Sequence, residues 1–99
     1  MDERFHPEFA EDLSGPCDYF DRFALKLGQR FRMKIDATLD TIRDRPESFA
    51  RVHSDYRVAP VKGFPYVVIF EVRPGTVFFL SVQHASSDRA GWFDRTPLQ

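Results

Sequence analysis

The side chains of this 99-residue sequence that could carry chemistry are three histidines, one cysteine and a set of arginines and lysines. His6, His53 and His84 lack the short spacing that metal ligands need, and Cys17 stands alone, so neither a metal site nor an internal disulfide is expected. There is no glycine-rich phosphate loop, no cysteine pair and no nucleophile elbow, so no cofactor is expected. What does gather is Tyr56-Arg57, then Lys62-Gly63-Phe64-Pro65-Tyr66, then His84, then Trp92 and Arg95. Cations interleaved with aromatic rings suit a surface that docks onto a macromolecular partner. Each residue also has a plain structural use. Arg57 can pair with Asp55 or an acid of the first helix, and Lys62 beside Gly63 can sit in a solvated turn. His84 can cap a carbonyl, Phe64-Pro65-Tyr66 can pack the start of a strand, and Trp92 can anchor the tail.

These residues must be held by elements that the hydrophobic pattern locates. A short strand is expected before His6-Pro7-Glu8, where proline and acidic residues open a helix carrying Phe9, Leu13, Phe20 and Ala24. Gly15-Pro16 falls inside it, which predicts two helical pieces or one bent helix. From Leu25 to Arg43 the residues Leu27, Phe31, Ile35, Leu39 and Ile42 recur at steps of four and three, stacking on one helical face. Asp44-Arg45-Pro46 stops that helix. An irregular stretch through Ser54 leads to three strand-like runs, Tyr56 to Val61, Tyr66 to Arg73 and Val77 to His84. Arg73-Pro74-Gly75-Thr76 predicts a tight turn with positive φ at the glycine, making the last two runs a hairpin. Pro60 cannot donate to a ladder, which places the first run at an edge or at a bulge. The tail, Ala85 to Gln99, reads as polar and loose. The expected fold is α+β: an N-terminal strand, a two-helix hairpin and a three-stranded antiparallel sheet (β-α-α-β-β-β), with residues 1–99 as one domain and the helices on one face. The hairpin face Phe31, Ile35, Leu39, Ile42 is expected to meet Val68, Phe70, Phe78 and Leu80.

The longest apolar run, Tyr66 to Phe70, is far too short to span a bilayer, and no signal-peptide pattern is present, so a cytoplasmic location is expected without membrane partners. The net charge of −1 is unevenly spread. Residues 1–24 hold seven acidic and two basic side chains, whereas residues 25–62 hold nine basic and five acidic, which marks the middle as the candidate partner-binding segment.

The run Arg57-x6-Phe64-Pro65-Tyr66-Val67-Val68-Ile69-Phe70 resembles the pattern of the RelE/ParE toxin superfamily, closer to its ParE-like branch. His84 followed by Asp88, Trp92 and Arg95 at offsets of four, eight and eleven is similar to that family's terminal signature, and with the long helix the resemblance covers nearly the whole chain. The chain departs from the pattern at Ser87 and Arg89, where relatives commonly carry an arginine and a proline; Arg89 would then supply the cation from a shifted position.

The resemblance implies the toxin of a type II toxin-antitoxin pair, of the kind tied to plasmid stabilisation and growth inhibition. A cognate antitoxin would silence it by covering Arg57, Tyr66, Arg89, Trp92 and Arg95, as a homodimer or a heterotetramer with that antitoxin. ParE-like members poison DNA gyrase by binding; RelE-like members cut messenger RNA on the ribosome without a metal. Cleavage through the ribose 2′-hydroxyl needs a base, an acid and cations for the phosphorane, for which Arg57, Lys62, His84 and Arg95 are the catalytic candidates. RelE-like sheets carry a denser set of cations than Arg57 and Lys62 supply, which favours gyrase. A degenerate, non-toxic relative is the third reading.

Overall fold

The computed structural model describes residues 1–97. Nine elements follow in order: β1 (Asp2–Phe5), α1 (Phe9–Phe23), α2 (Leu25–Asp44), a 3-10 turn (Pro46–Ser48), β2 (Arg51–His53), β3 (Tyr56–Pro60), β4 (Tyr66–Arg73), β5 (Thr76–His84) and a second 3-10 turn (Arg89–Gly91). The strands form one sheet in the order β1-β5-β4-β3-β2, with β1 parallel to β5 and the rest antiparallel. The α+β class and element order are as expected, but the sheet has five strands where a three-stranded one was predicted. One extra member is β1, which joins the same sheet, and the other is β2, in the stretch read as irregular. All three β2 residues are exposed, so burial imposes no alternation on them.

Helix α1 begins at Phe9, with Pro7 in the turn ahead, and runs through Pro16 as one element. The break comes instead at Ala24, whose extended backbone (φ −168, ψ 138) both ends α1 and starts α2. Its carbonyl accepts from Leu27 and Gly28 at 3.0 and 3.2 Å. Across this hairpin Arg32 forks onto Asp21 at 2.9 and 2.8 Å, and that hydrogen bond holds the Asp21 carboxyl below its ordinary range. A Cβ at Gly28 would lie 1.7 Å from Asp21 Oδ1, so a larger residue here would push the carboxylate out of this pairing.

The predicted α2 face is buried: Phe31, Ile35, Leu39 and Ile42 pack with Phe9, Ala59, Val68, Phe70, Val77, Phe79 and Val82. On β4 the even residues face the helices as expected. On β5 the phase differs from the prediction, since Val77 and Phe79 face the helices while Phe78 and Leu80 face away. The hairpin turn fixes this register, pairing Arg73 with Thr76 around Pro74-Gly75, with Gly75 at φ +76 as predicted. A bulge then inserts Leu80 between the Phe70↔Phe79 and Ile69↔Ser81 pairs, so that Val82 returns to the helix side.

The opposite face is not bare. Tyr56, Val67, Ile69 and Leu80 pack with Trp92, which is 5% exposed, and Phe93 completes the cover. The tail predicted to be loose is therefore folded over the sheet as far as Arg95; its last two positions, Leu98 and Gln99, lie outside the described residues. Trp92 carries this change, because its large ring has apolar surface to cover only on that face.

Candidate functional site

The cations of the middle segment divide into a paired and an unpaired set. Arg32, Arg43, Arg45 and Arg51 pair with Asp21, Glu3 and Asp40, Asp44, and Asp55 respectively. Lys26, Arg30, Lys34 and Lys62 remain without a carboxylate within 4 Å among the described residues. Four of the nine cations of residues 25–62 are thus met by the chain's own acids, which the count along the sequence could not show.

Arg57 lies on the helix side of β3 and turns inward. One of its terminal nitrogens donates to the carbonyls of Phe49 and, at 3.4 Å, Glu47, so the guanidinium fastens the connection after α2 onto the sheet. Asp55, its suggested partner, pairs with Arg51 instead. Arg57 Nε is buried and has no partner among the described residues.

Arg95 is also used internally. It forks onto Asp12 of α1 at 2.6 and 2.8 Å and donates to the Leu80 carbonyl at 2.9 Å. Asp12 in turn accepts the Val82 N–H at 3.0 Å. Strand β1 pairs with β5 only as far as Phe79, so this ion pair satisfies backbone groups that β1 leaves open. The Asp12 hydrogen bond raises the Arg95 pKa further, keeping it charged. Nothing local in the sequence signals the pair, because an acid in the first turn of a helix is already explained by the helix dipole.

His84 ends β5 opposite Tyr66. Its Nδ1 accepts from the Ser86 N–H at 3.1 Å and lies 2.7 Å from Ser86 Oγ, and its ring meets Tyr66 edge-on at 5.0 Å. With Nδ1 engaged as an acceptor, the neutral ring carries its proton on Nε2 and offers solvent a donor rather than a base. Tyr66 also packs on Phe31, and burial, with Tyr19 adding to it, pushes its phenol upward, so it stays protonated. Lys62 stands exposed in the β3–β4 turn ahead of Gly63, whose φ is +83.

The fold does not bring Arg57 and Arg95 together beside His84. Arg57 sits opposite Phe70 and His84 opposite Tyr66, with β4 between them and four positions, about 13 Å, along it. What does assemble is a smaller constellation at the end of β5. Ser87 donates to the His84 carbonyl at 2.6 Å and accepts from Trp92 Nε1 at 2.7 Å, while the Arg89 guanidinium lies 5.3 Å over the Trp92 ring. The serine that replaces the expected arginine is therefore the hinge pin of the tail, and Arg89 is the cation that the tail presents. Phe93, stacked on His53 at 4.8 Å, belongs to the same surface and was not singled out from the sequence. Among the described residues, no three His, Cys, Asp or Glu side chains cluster in a way that could hold a metal ion.

This arrangement can bind through aromatic and cationic groups, but among the described residues it does not bring a free base, an acid and paired cations to one point. Comparison with known proteins agrees in fold with the sequence resemblance. No curated protein gives a significant sequence match. A solved structure of the chromosomal ParDE toxin-antitoxin system from P. aeruginosa matches with a TM-score of 0.74, covering 87% of this chain and 97% of that one at 14% identity. Residues 4–89 match the family described as the ParE toxin of type II toxin-antitoxin system, parDE, and the chain belongs to that family.

Proposed function

We propose that this chain is a growth-inhibiting toxin that acts by binding DNA gyrase and is neutralised by a cognate antitoxin, in the cytoplasm and without a cofactor. The observation that supports binding over cleavage is the state of the two arginines and the histidine. Arg57 and Arg95 are spent on backbone carbonyls and on Asp12, and His84 holds its Nδ1 against Ser86. A ribonuclease needs these groups free and close together. Induced expression followed by separate assays for gyrase-linked DNA breaks and for cut messenger RNA tests the reading. DNA breaks without RNA cleavage are expected, and His84→Gln should leave growth arrest within about twofold, whereas a nuclease relying on an imidazole base would lose about two orders of magnitude or more. RNA cleavage that collapses with His84→Gln would replace this reading with the ribosome-dependent one.

Ser87 favours a second reading, a relative that binds an antitoxin but has lost toxicity, because the position expected to carry an arginine is occupied by the anchor of Trp92. Absence of growth arrest from folded protein, with antitoxin binding intact, would select it.

A further inference from the structure

Arg57 leaves one edge of its guanidinium without a protein acceptor. Its Nη1 donates to the Phe49 and Glu47 carbonyls, but Nε is buried without a partner, and Nη2, which is not buried, has none among the described residues. These two nitrogens carry parallel N–H groups on one side of the plane, the geometry that grips two oxygens of an oxyanion at once. A buried charged donor that no protein group satisfies is costly, and in a folded protein it calls for a partner. Arg57 also lines a hollow of about 290 Å³ at the end of the sheet where β4 turns into β5. Arg51 and Arg73 line the same hollow, with Glu47 and Asp55, so three guanidiniums stand against two carboxylates.

We propose that this hollow binds a phosphoryl group, held on two oxygens by the Nε and Nη2 edge of Arg57, with Arg51 and Arg73 adding charge from the sides. A phosphoryl group suits it better than a carboxylate, because it has more oxygens and more charge to share among three cations. Arg51 can be recruited, since its contact with Asp55 is 3.5 Å long and both side chains are more than half exposed. Arg73 stays anchored, its Nε and Nη2 on the buried Glu71 carboxylate, which leaves Nη1 to donate. Glu47 forms no ion pair among the described residues, which makes it the internal competitor for the Arg57 edge. The hollow lies at the Arg73 end of β4, seven residues or about 23 Å from Tyr66 and the His84 opposite it. It is therefore separate from the tail surface, and the proposal goes beyond the gyrase-binding reading. The phosphoryl group can be free phosphate or part of a nucleic-acid backbone, which offer the same oxygens.

The test follows the arginine Nε–H resonances of the full chain, labelled with nitrogen-15, as inorganic phosphate replaces chloride at constant ionic strength. The Arg57 signal should shift and saturate, with Arg51 and Arg73 following the same curve. Arg51→Ala should weaken binding about threefold, and Glu47→Gln should tighten it by a similar factor. Arg57→Lys keeps the charge but loses the fork, and should weaken binding about tenfold or more. If that variant fails to fold, because Arg57 also holds the Phe49 carbonyl, the variants at the exposed Arg51 and Glu47 still decide. A short DNA duplex that moves the same resonances at lower phosphate concentration would name backbone phosphate as the source; a response to inorganic phosphate alone would name the free ion. Shifts that chloride reproduces, or that rise without saturating, would overturn the proposal, as would equal binding by Arg51→Ala. So would an Arg57 signal that ignores phosphate and moves on Glu47→Gln in phosphate-free buffer, since Glu47 would then be the partner of that edge.

Discussion

Two strands of this sheet lose their outer neighbour partway along, and the protein treats them differently. Beyond Phe79, β5 is left by β1, and the gap is closed by Asp12 accepting from Val82 and Arg95 donating to Leu80. Beyond Arg57, β3 is left by β2, and no ion pair closes that gap among the described residues; two lysines stand beside it. Open edges invite pairing with other chains, and proteins normally blunt them. Closing one with an internal ion pair while leaving the other short, proline-marked and flanked by cations separates an edge sealed for stability from an edge available for recognition.

The helix-face core under both edges sets the scale. Ile35 is 3% exposed among Phe31, Leu39 and the even residues of β4. Ile35→Ala should cost about 2 to 5 kcal/mol in a denaturant melt, the range for a buried large-to-small change. A loss below about half a kcal/mol would mean that α2 does not bury this face.

Removing the seal of β5 should come next. Arg95→Ala leaves the Asp12 carboxylate partly buried without its cation and the Leu80 carbonyl without its donor, for an expected loss of about 2 to 3 kcal/mol. Asp12→Ala should cost a similar amount, and the double variant should cost much less than the two losses added together, since both remove one interaction. Additive losses would show that the two residues act separately, and the contrast between the edges would lose its basis.

The hold of the tail is a smaller effect. Ser87→Ala removes the acceptor of Trp92 Nε1 and the link to the His84 carbonyl, and should cost about 1 to 2 kcal/mol. Trp92 fluorescence should shift to the red if the indole becomes wetter. An unmoved emission together with an unmoved melt would show that Trp92 is held by packing alone.

What the sequence disclosed follows from which forces are local. The α2 face was legible because burial repeats every three or four residues, and the β4–β5 turn was legible because Pro74-Gly75 has few other uses. Strand β2 was not, since exposed Arg51, Val52 and His53 carry no alternation. The phase of β5 was misjudged because the turn register and the bulge at Leu80 decide which of its apolar residues face the helices, and Val77 to Leu80 are apolar without alternation. Among the site residues, Tyr66, His84, Arg89 and Trp92 do fall near one end of the sheet, while Arg57 and Arg95 were drawn elsewhere by carbonyls and by an aspartate 83 positions away. Long-range ion pairs have no periodicity, so cations counted along a chain cannot be sorted into free and spent.

The smallest expected effect is the one that most sharpens the contrast between the edges. Lys34 and Lys62 have no carboxylate within 4 Å among the described residues, and Lys62 is exposed in its turn. They lie near each other at the mouth of one hollow, where like charges repel mildly in water. Replacing either with alanine removes no ion pair and no buried hydrogen bond, and it relieves that repulsion at the cost of a little stem packing. The net change in stability should stay within about half a kcal/mol of zero, as for surface positions in general. Raising the salt concentration should not destabilise the parent protein at this edge, because there is no attraction here to screen. If Lys62→Ala instead cost as much as Arg95→Ala, the β3 edge would be sealed as firmly as that of β5. The lysines would then be structural, and the two edges would differ only in which residues close them.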